Sequence, residues 1–367
     1  MQMATFNEAL KHKNRISPVL LKRSEVMAVG VGYADPSKPS LGAGVIVYTH
    51  QKTVPSSLSS LKGMVAKAGK AVPVRFVPSG MFKTSVSSSK PKAIRPTLFR
   101  NRIRPVPGGV SIGKPDPFST GTAGVIVIKN NQLYILSNNH VLIKNNSTAF
   151  SATVQPGPAD AALTGNTIGR AFQFVRLRPG EVNFQDSAIA LPFSNSLLNP
   201  RYLVSSSGQL VTVPGHLLSY PVGLQVFKSG RTTGFVRGTV ESNNVDVRVS
   251  YGGTLGTLLF RNQSVIRGNT GAVSLPGDSG SVWLRASDRF AAALNFAGTA
   301  DGLRSISNPI GTVMSTYGLR IAIPAPGGTF KAGAIKGIAP RGNYSYVQQL
   351  TDEQHKRTRA VLVKSSK

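Results

Sequence analysis

Three residues, far apart in the chain, have side chains that suit nucleophilic catalysis. His140 follows a short apolar run, Asp186 precedes another, and Ser279 lies in the sequence Gly-Asp-Ser-Gly. A serine hydroxyl is a weak nucleophile, so a histidine must take its proton while it attacks a carbonyl carbon. A carboxylate must fix the tautomer of that histidine and stabilise the imidazolium. The order of the three predicts a triad in which His140 is general base and then acid, Asp186 orients it, and Ser279 attacks.

The glycines beside Ser279 suit the second requirement of this chemistry, which is a place for the developing oxyanion. Gly277 lets the backbone turn so that its N–H and that of Ser279 point at one spot. Taken singly, His140 reads as a structural histidine, Asp186 as a turn acid, and Gly-Asp-Ser-Gly as a tight turn. The chain has only 14 acidic residues, and all three features come in one order, which together favours a hydrolytic site.

Several segments resemble the chymotrypsin-like (trypsin-like) serine peptidases, in their cysteine-free microbial form. Residues 277–281 resemble the nucleophile motif of that family, 139–141 its histidine motif, and 186–190 its aspartate strand. Residues 119–124 are similar to the strand that precedes the histidine. Residues 228–234 are similar to a hairpin of bacterial members that carry an N-terminal extension.

The resemblance covers residues 110–320, roughly, and carries expectations for fold and activity. It implies a mainly β fold, a chymotrypsin-like double β-barrel with the site between the barrels. It also implies a serine endopeptidase that hydrolyses peptide bonds in peptide or protein substrates through an acyl-enzyme intermediate. The alternative is a catalytically silent protein on the same fold, either a scaffold or a polyanion- or nucleic-acid-binding protein, because fold does not fix function.

The residues around the serine also bear on specificity, by comparison with the same family. Trypsin places an acid six residues before the serine, where this chain has Val273, so cleavage after Lys or Arg is not expected. Glutamate-specific relatives place a histidine where this chain has Asn295. The expected P1 side chain is therefore of medium size, apolar or uncharged polar. The predicted substrate pocket consists of Val273, Ser274, Asn295, Phe296 and Gly298.

Composition and patterning predict how the elements around these residues are organised. Hydrophobic residues make up 40% of the chain, which suffices for a buried core, and 38 Gly with 24 Pro indicate many turns and short strands. Residues 1–80 predict a small α-β-β-α-β domain, and the basic Ser/Pro-rich stretch 81–115 predicts a linker. Residues 116–345 form the predicted peptidase domain, and 346–367 a basic tail with a short helix.

Charge is the most unusual property of the chain. Lysine and arginine number 43 against 14 acids, a formal net charge of +29. No acid occurs between Asp35 and Asp116. Such a surface suits a polyanion, and we expect a non-specific contact through residues 81–105 and the C-terminal tail. A solvated linker and a general solubility effect are the simpler explanations.

Other sequence features bear on whether a cofactor or metal is expected and on the cellular compartment. Cysteine is absent, so no disulfide or thiolate metal site is possible, and the five histidines lack metal-ligand spacing. No metal and no cofactor are expected. The N-terminus lacks an apolar signal region and no transmembrane segment is seen, which favours the cytoplasm. Residues 1–80 read equally well as a regulatory, propeptide-like module or as a permanent partner-binding domain, and the sequence does not determine the oligomeric state.

Overall fold

The computed structural model describes most of the chain, namely residues 3–50, 55–67, 72–84, 97–116, 119–161, 164–337 and 346–365. The segment 85–96 of the predicted linker, residues 338–345 of the predicted peptidase domain and the last two residues of the tail lie outside the described residues. No helix among the described residues is long and apolar enough to cross a lipid bilayer.

The first 84 residues give the predicted order α-β-β-α-β and then one further short strand. The elements are α1 (Phe6–Leu20), β1 (Val26–Tyr33), β2 (Ala43–Thr49), α2 (Pro55–Lys67), β3 (Val74–Pro78) and β4 (Phe82–Lys83). Helix α1 begins with a capping box, in which the Thr5 hydroxyl accepts from the Glu8 N–H and the Glu8 carboxylate accepts from the Thr5 N–H.

Short strands then dominate the chain up to the first turn after Asp186. They are β5 (Val106–Gly108), β6 (Ser111–Gly113), β7 (Thr120–Thr122), β8 (Ile126–Lys129), β9 (Gln132–Ser137), β10 (Ala152–Val154), β11 (Thr167–Val175), β12 (Val182–Asn183) and β13 (Ala188–Pro192), with α3 (Asn139–Leu142) after β9. Most of them join one ten-stranded sheet with three later strands, β23 (Arg320–Pro324), β24 (Phe330–Ala332) and β26 (Ala360–Leu362). Its order is β24-β23-β8-β9-β13-β11-β10-β6-β7, and β26 adds to it through β11.

The remaining elements include the two longest strands of the described chain, β18 (Gly234–Gly252) and β19 (Gly256–Gly268). They are β14 (Leu198–Leu203), β15 (Leu210–Thr212), β16 (Gly215–Leu217), β17 (Gln225–Gly230), β18 (Gly234–Gly252), β19 (Gly256–Gly268), β20 (Val282–Arg285), β21 (Ala291–Thr299), β22 (Arg304–Pro309), α4 (Ile310–Tyr317), β23 (Arg320–Pro324), β24 (Phe330–Ala332), β25 (Ala334–Lys336), α5 (Asp352–Arg357) and β26 (Ala360–Leu362). In the second large sheet the order β19-β22-β21-β20-β17-β18 closes on itself, because β18 also pairs with β19. Six strands therefore form a closed ring, and the prediction of a mainly β fold is confirmed.

Alternation along the strands decides what each barrel buries. Leu133 and Ile135 of β9 join a core inside the first sheet, whereas Tyr134 and Leu136 face a second core shared with β20 and α4. Successive side chains of a strand point to opposite faces, so β9 is apolar throughout because both of its faces are covered. This shared core fixes the two barrels against each other and so places the residues on their facing edges.

The N-terminal strands continue the sheet of the second barrel. Strand β1 pairs antiparallel with β18, with Ala28 opposite Val247, and β2 and β3 follow it outward. Lys13 of α1 forms a buried ion pair of 2.7 Å with Asp246 of β18. Strand pairing thus runs across the predicted boundary at residue 80, and the division into separate domains stays a prediction.

The described parts of the predicted linker and tail contribute strands to the sheets. Val106, Val110 and Ile112 are buried, and β5 and β6 pair with β14, β7 and β10, so residues 106–113 belong to the barrels and not to a linker. The prediction is wrong there because the basic and proline residues before this stretch masked its alternating apolar positions. In the tail, β26 pairs with β11.

Candidate active site

His140 is presented by the first turn of α3, directly after β9 ends. Its Nδ1 lies 2.5 Å from Oδ2 of Asp186, and the N–H of Asn139 donates to Oδ1 of the same carboxylate at 2.7 Å. The Asn138 side chain donates to the Asp186 carbonyl at 2.7 Å. Three consecutive residues thus hold one aspartate, and the imidazole ring cannot turn without breaking the shortest of these contacts.

Asp186 lies in the connection between β12 and β13 and is fully buried. Its backbone N–H donates to the Asn308 side chain at 3.0 Å, which ties the segment to β22. The Tyr251 hydroxyl donates to Oδ2 at 2.7 Å, beside His140. A buried carboxylate needs such donors, because burial without partners penalises its charged form. With the proton on Nδ1 and that bond to Asp186, the other ring nitrogen of His140 is left to act as a base.

Ser279 lies in the tight loop between β19 and β20. Gly277 has φ +101° and Gly280 φ +94°, values that L residues with a side chain rarely adopt, so the loop requires glycine at both places. The Thr122 hydroxyl donates to the Gly277 carbonyl at 2.8 Å, and the Thr122 N–H to the Ser279 carbonyl at 2.7 Å. The end of β7 therefore holds this loop from the side of the first barrel.

Asp278, next to the serine, holds the loop from the other side. Its carboxylate accepts the N–H groups of Thr232 and Thr233 at 2.9 and 3.0 Å and that of Leu275 at 3.0 Å. Nζ of Lys228 lies 3.8 Å away, and both side chains are fully buried. Burial lowers the pKa of Lys228, and the charge of Asp278 opposes that shift. The similarity of residues 228–234 to a hairpin motif was the only sequence signal for these contacts.

Gly121 of β7 lies against the residue that follows His140 and against the Ser279 carbonyl. A Cβ built on Gly121 would lie 2.5 Å from the Val141 side chain and 2.8 Å from the Ser279 carbonyl. The Ser279 hydroxyl donates to the Phe296 carbonyl at 3.2 Å. Nε2 of His140 is buried and has no hydrogen-bond partner among the described residues. The Ser279 hydroxyl and Nε2 of His140 are therefore not hydrogen-bonded to each other in this structure.

The residues predicted to form a substrate pocket lie close together and several of them are in direct contact. The Ser274 hydroxyl donates to the Asn295 side chain at 3.1 Å and to the Ala297 carbonyl at 3.3 Å. The Asn295 amide donates to the Asp278 carbonyl at 3.0 Å, and a Cβ on Gly298 would lie 2.7 Å from the Ser274 carbonyl. Val273 and Phe296 are also buried. Residues 273–274 and 295–298 therefore pack directly against each other at Gly298, where even a Cβ would not fit. This packing does not show which substrate side chain is bound, and the preference for a medium-sized P1 side chain stays a prediction.

Two side chains near His140 and Asp186 were missed by the sequence analysis. Nζ of Lys114 donates to the His140 carbonyl at 3.0 Å and to the Ser119 hydroxyl, and burial lowers the pKa of Lys114 to about 8. Tyr251 lies at the end of β18, before the turn glycines. Lys114 was assigned to the linker, and nothing in the sequence around Tyr251 connects it with Asp186.

Comparisons with known proteins were made at the level of sequence and of structure. The chain matches no family model and no curated protein. It is similar to Thermobifida fusca Protease A with 21% identity and a TM-score of 0.43, over 62% of this chain and 99% of that one. A glutamic acid specific serine protease matches with 21% identity and a TM-score of 0.42, over 58% and 98%. Cellulomonas bogoriensis chymotrypsin matches with 23% identity and a TM-score of 0.41, over 59% and 97%.

By name, these proteins are a protease, a serine protease and a chymotrypsin. The roles of individual residues in this chain rest on the contacts within it. Among the described residues, no group of three or more His, Asp or Glu side chains could hold a metal ion.

Proposed function

We propose that the chain is a serine endopeptidase in which His140, Asp186 and Ser279 act together. The observation that carries the proposal is the hydrogen bonding of the two nitrogens of the His140 imidazole. Nδ1 is bound to a buried carboxylate, and Nε2 is buried without a partner among the described residues. A buried nitrogen that is left unbonded costs free energy, so its retention points to a chemical use.

In the proposed reaction, Oγ of Ser279 attacks the carbonyl carbon of the scissile peptide while Nε2 of His140 takes the hydroxyl proton. The resting hydroxyl donates to the Phe296 carbonyl, so it must first exchange that acceptor for Nε2. Catalytic hydrogen bonds are often incomplete before substrate binds, so this is no obstacle. Asp186 keeps the Nδ1–H bond throughout and stabilises the imidazolium.

The oxyanion that forms would be held by the N–H groups of Gly277 and Ser279. Neither group has a backbone or side-chain acceptor within the described part of the chain. His140 then gives its proton to the leaving amine, and the acyl group stays on Ser279 as an ester. Water hydrolyses that ester by the reverse sequence, with His140 again as base, and the free serine returns.

The test is hydrolysis of a mixed peptide library by the full chain and by single variants. Ser279→Ala and His140→Ala should each lower the rate by at least a thousandfold, because members of a triad act as a unit. Lys144→Ala, an exposed change close to α3, is the control and should keep the wild-type rate. A folded wild-type chain that cleaves no peptide would favour the alternative of a silent binding protein.

The N-terminal strands suggest that the resting chain restrains itself. Strand β4 pairs antiparallel with β21, with Lys83 opposite Gly298 and Phe82 opposite Thr299. Gly298 is one of the predicted pocket residues, so the chain's own backbone occupies the edge where an extended substrate would add to β21. Strand β4 directly follows residues 1–80 in the chain, so this pairing favours the regulatory interpretation of that segment over the permanent partner-binding one.

Polyanion binding is a second candidate function, supported by the basic residues of the tail. Lys356, Arg357, Arg359 and Lys364 are exposed. The linker arginines are less suited, since Arg100 donates to the Arg231 carbonyl at 3.3 Å and Arg104 to the Gln155 carbonyl at 2.8 Å. We therefore propose the tail as the stronger contact, with a role in attachment and none in catalysis.

A further inference from the structure

Tyr251 contacts two members of the proposed triad, Asp186 and His140, and belongs to neither of their segments. Its hydroxyl donates to Oδ2 of Asp186 at 2.7 Å, and its ring meets the His140 imidazole edge-on, with centroids 5.8 Å apart. The ring also stacks on Phe260 at 5.9 Å with an interplanar angle of 17°. The phenol is therefore fixed in place by packing as well as by its hydrogen bond.

The hairpin that carries Tyr251 also holds the chain leading to Asp186. Strands β18 and β19 pair along their length, and β12 pairs parallel with β19, with Asn183 opposite Phe260. On the other side, Ser250 is paired with Lys83, and its carbonyl accepts the Thr84 N–H at 3.0 Å. The hydroxyl thus reaches Asp186 from a hairpin that is fixed on both sides.

Oδ2 of Asp186 receives two donors, the Nδ1–H of His140 and the hydroxyl of Tyr251, while Oδ1 receives the Asn139 N–H. A hydrogen bond to a carboxylate oxygen withdraws part of the negative charge that would otherwise act on a neighbouring cation. Burial and the charge of Asp186 raise the pKa of Tyr251 well above its usual value, so the phenol keeps its proton and remains a donor at neutral pH.

We infer that Tyr251 is a positioning residue that shares Asp186 Oδ2 with His140 and thereby limits how strongly the carboxylate holds the imidazolium. The inference rests on the proposed function for its catalytic meaning, but it concerns a proton equilibrium that exists without turnover. Without the hydroxyl, Oδ2 would have a single donor and would stabilise protonated His140 more strongly. The charged and titratable groups that the described structure places against His140 are Asp186, Tyr251 and Lys114.

The experiment is an NMR titration of the His140 imidazole in the full-length protein and in Tyr251→Phe. The phenyl ring keeps the stacking on Phe260 and loses only the hydroxyl. Tyr220→Phe is the matched control, since that buried phenol bonds to Ser264, away from the triad. The His140 resonance is assigned by its loss in His140→Gln.

In Tyr251→Phe the midpoint of the His140 titration should rise by about half a unit to one unit, a three- to tenfold change in proton affinity. Tyr220→Phe should leave the midpoint where it is in the wild type. An unchanged or lowered midpoint in Tyr251→Phe, or an equal shift in the control, would overturn the inference. Because this readout needs no turnover, a protein that fails to cleave peptides would refute the proposed function and still test the role of Tyr251.

Discussion

Lys83 of β4 lies directly opposite Gly298 of β21, on the strand that also supplies the acceptor for the Ser279 hydroxyl. Strand β4 is shared, because its other edge pairs parallel with β18. The Thr84 N–H donates to Ser250 of β18. Since successive N–H groups of a strand point to opposite sides, the N–H of Lys83 points toward β21.

Lys83→Pro should release β4 from β21 and raise the rate of peptide hydrolysis. Proline removes the N–H that faces Gly298 and leaves the contacts of Phe82 and Thr84 with β18 in place. We expect an increase of threefold or more in kcat/KM for short peptides, measured at equal concentrations of folded protein. Lys83→Ala, which keeps the N–H, should behave as the wild type. If the two variants have the same rate, the pairing with β4 does not restrain the site.

Lys114 predicts a specific pH dependence of stability. Its side chain is 8% exposed and its pKa is lowered to about 8, against about 10.4 in an unfolded chain. Between these values the unfolded chain binds more protons, so the free energy of unfolding should rise with pH from 8 to 10.5. Keeping Lys114 charged in the folded protein costs about 3 kcal/mol at most below pH 8.

The measurement is urea unfolding at pH 7.5, 8.5 and 9.5 for the wild type and for Lys114→Met. The difference in stability between the two should move in favour of the wild type by more than about 1 kcal/mol as the pH rises. Lys129→Met is the control, because this exposed lysine also donates to a carbonyl, that of Tyr317, at 3.0 Å. A difference that stays constant over the three pH values would contradict the assignment.

The tail should account for a measurable part of any polyanion binding. Replacing its exposed basic residues with serine should weaken retention on heparin and reduce the dependence of the binding constant on salt, measured between about 50 and 200 mM. Each lost phosphate or sulfate contact lowers the logarithmic salt slope by roughly 0.7–0.9. The four residues changed are Lys356, Arg357, Arg359 and Lys364.

A control variant that loses the same number of charges distinguishes a specific contact of the tail from the general effect of the formal net charge of +29. Four exposed basic residues outside the tail are changed to serine instead, namely Lys144, Arg201, Arg289 and Lys331. The control should bind heparin more tightly than the tail variant. Equal weakening of both proteins would show that net charge alone is responsible and that the tail is no specific contact.

The β architecture could be predicted because strands such as β9 are local apolar runs bounded by turn residues. His140, Asp186 and Ser279 could be predicted because few combinations of side chains support this chemistry. The sequence could not reveal Tyr251, since its partner Asp186 is 65 residues away and the contact depends on the closure of β18 against β19. Lys114 was missed for a related reason. Composition assigned it to a linker, whereas pairing of β6 with distant strands buries it.

The central claim is that Ser279 is a nucleophile activated by His140, and covalent labelling tests it most directly. The full-length protein is incubated with a fluorophosphonate between pH 5 and 9, and the modified residue is located by mass spectrometry of peptides. We expect one adduct, on Ser279, and no adduct in Ser279→Ala or His140→Ala. The rate should rise between pH 5 and 8, because only a neutral imidazole can act as the base. The account is contradicted if the folded wild type and the folded Lys83→Pro variant both remain unlabelled by the fluorophosphonate. An adduct on another residue would also contradict it.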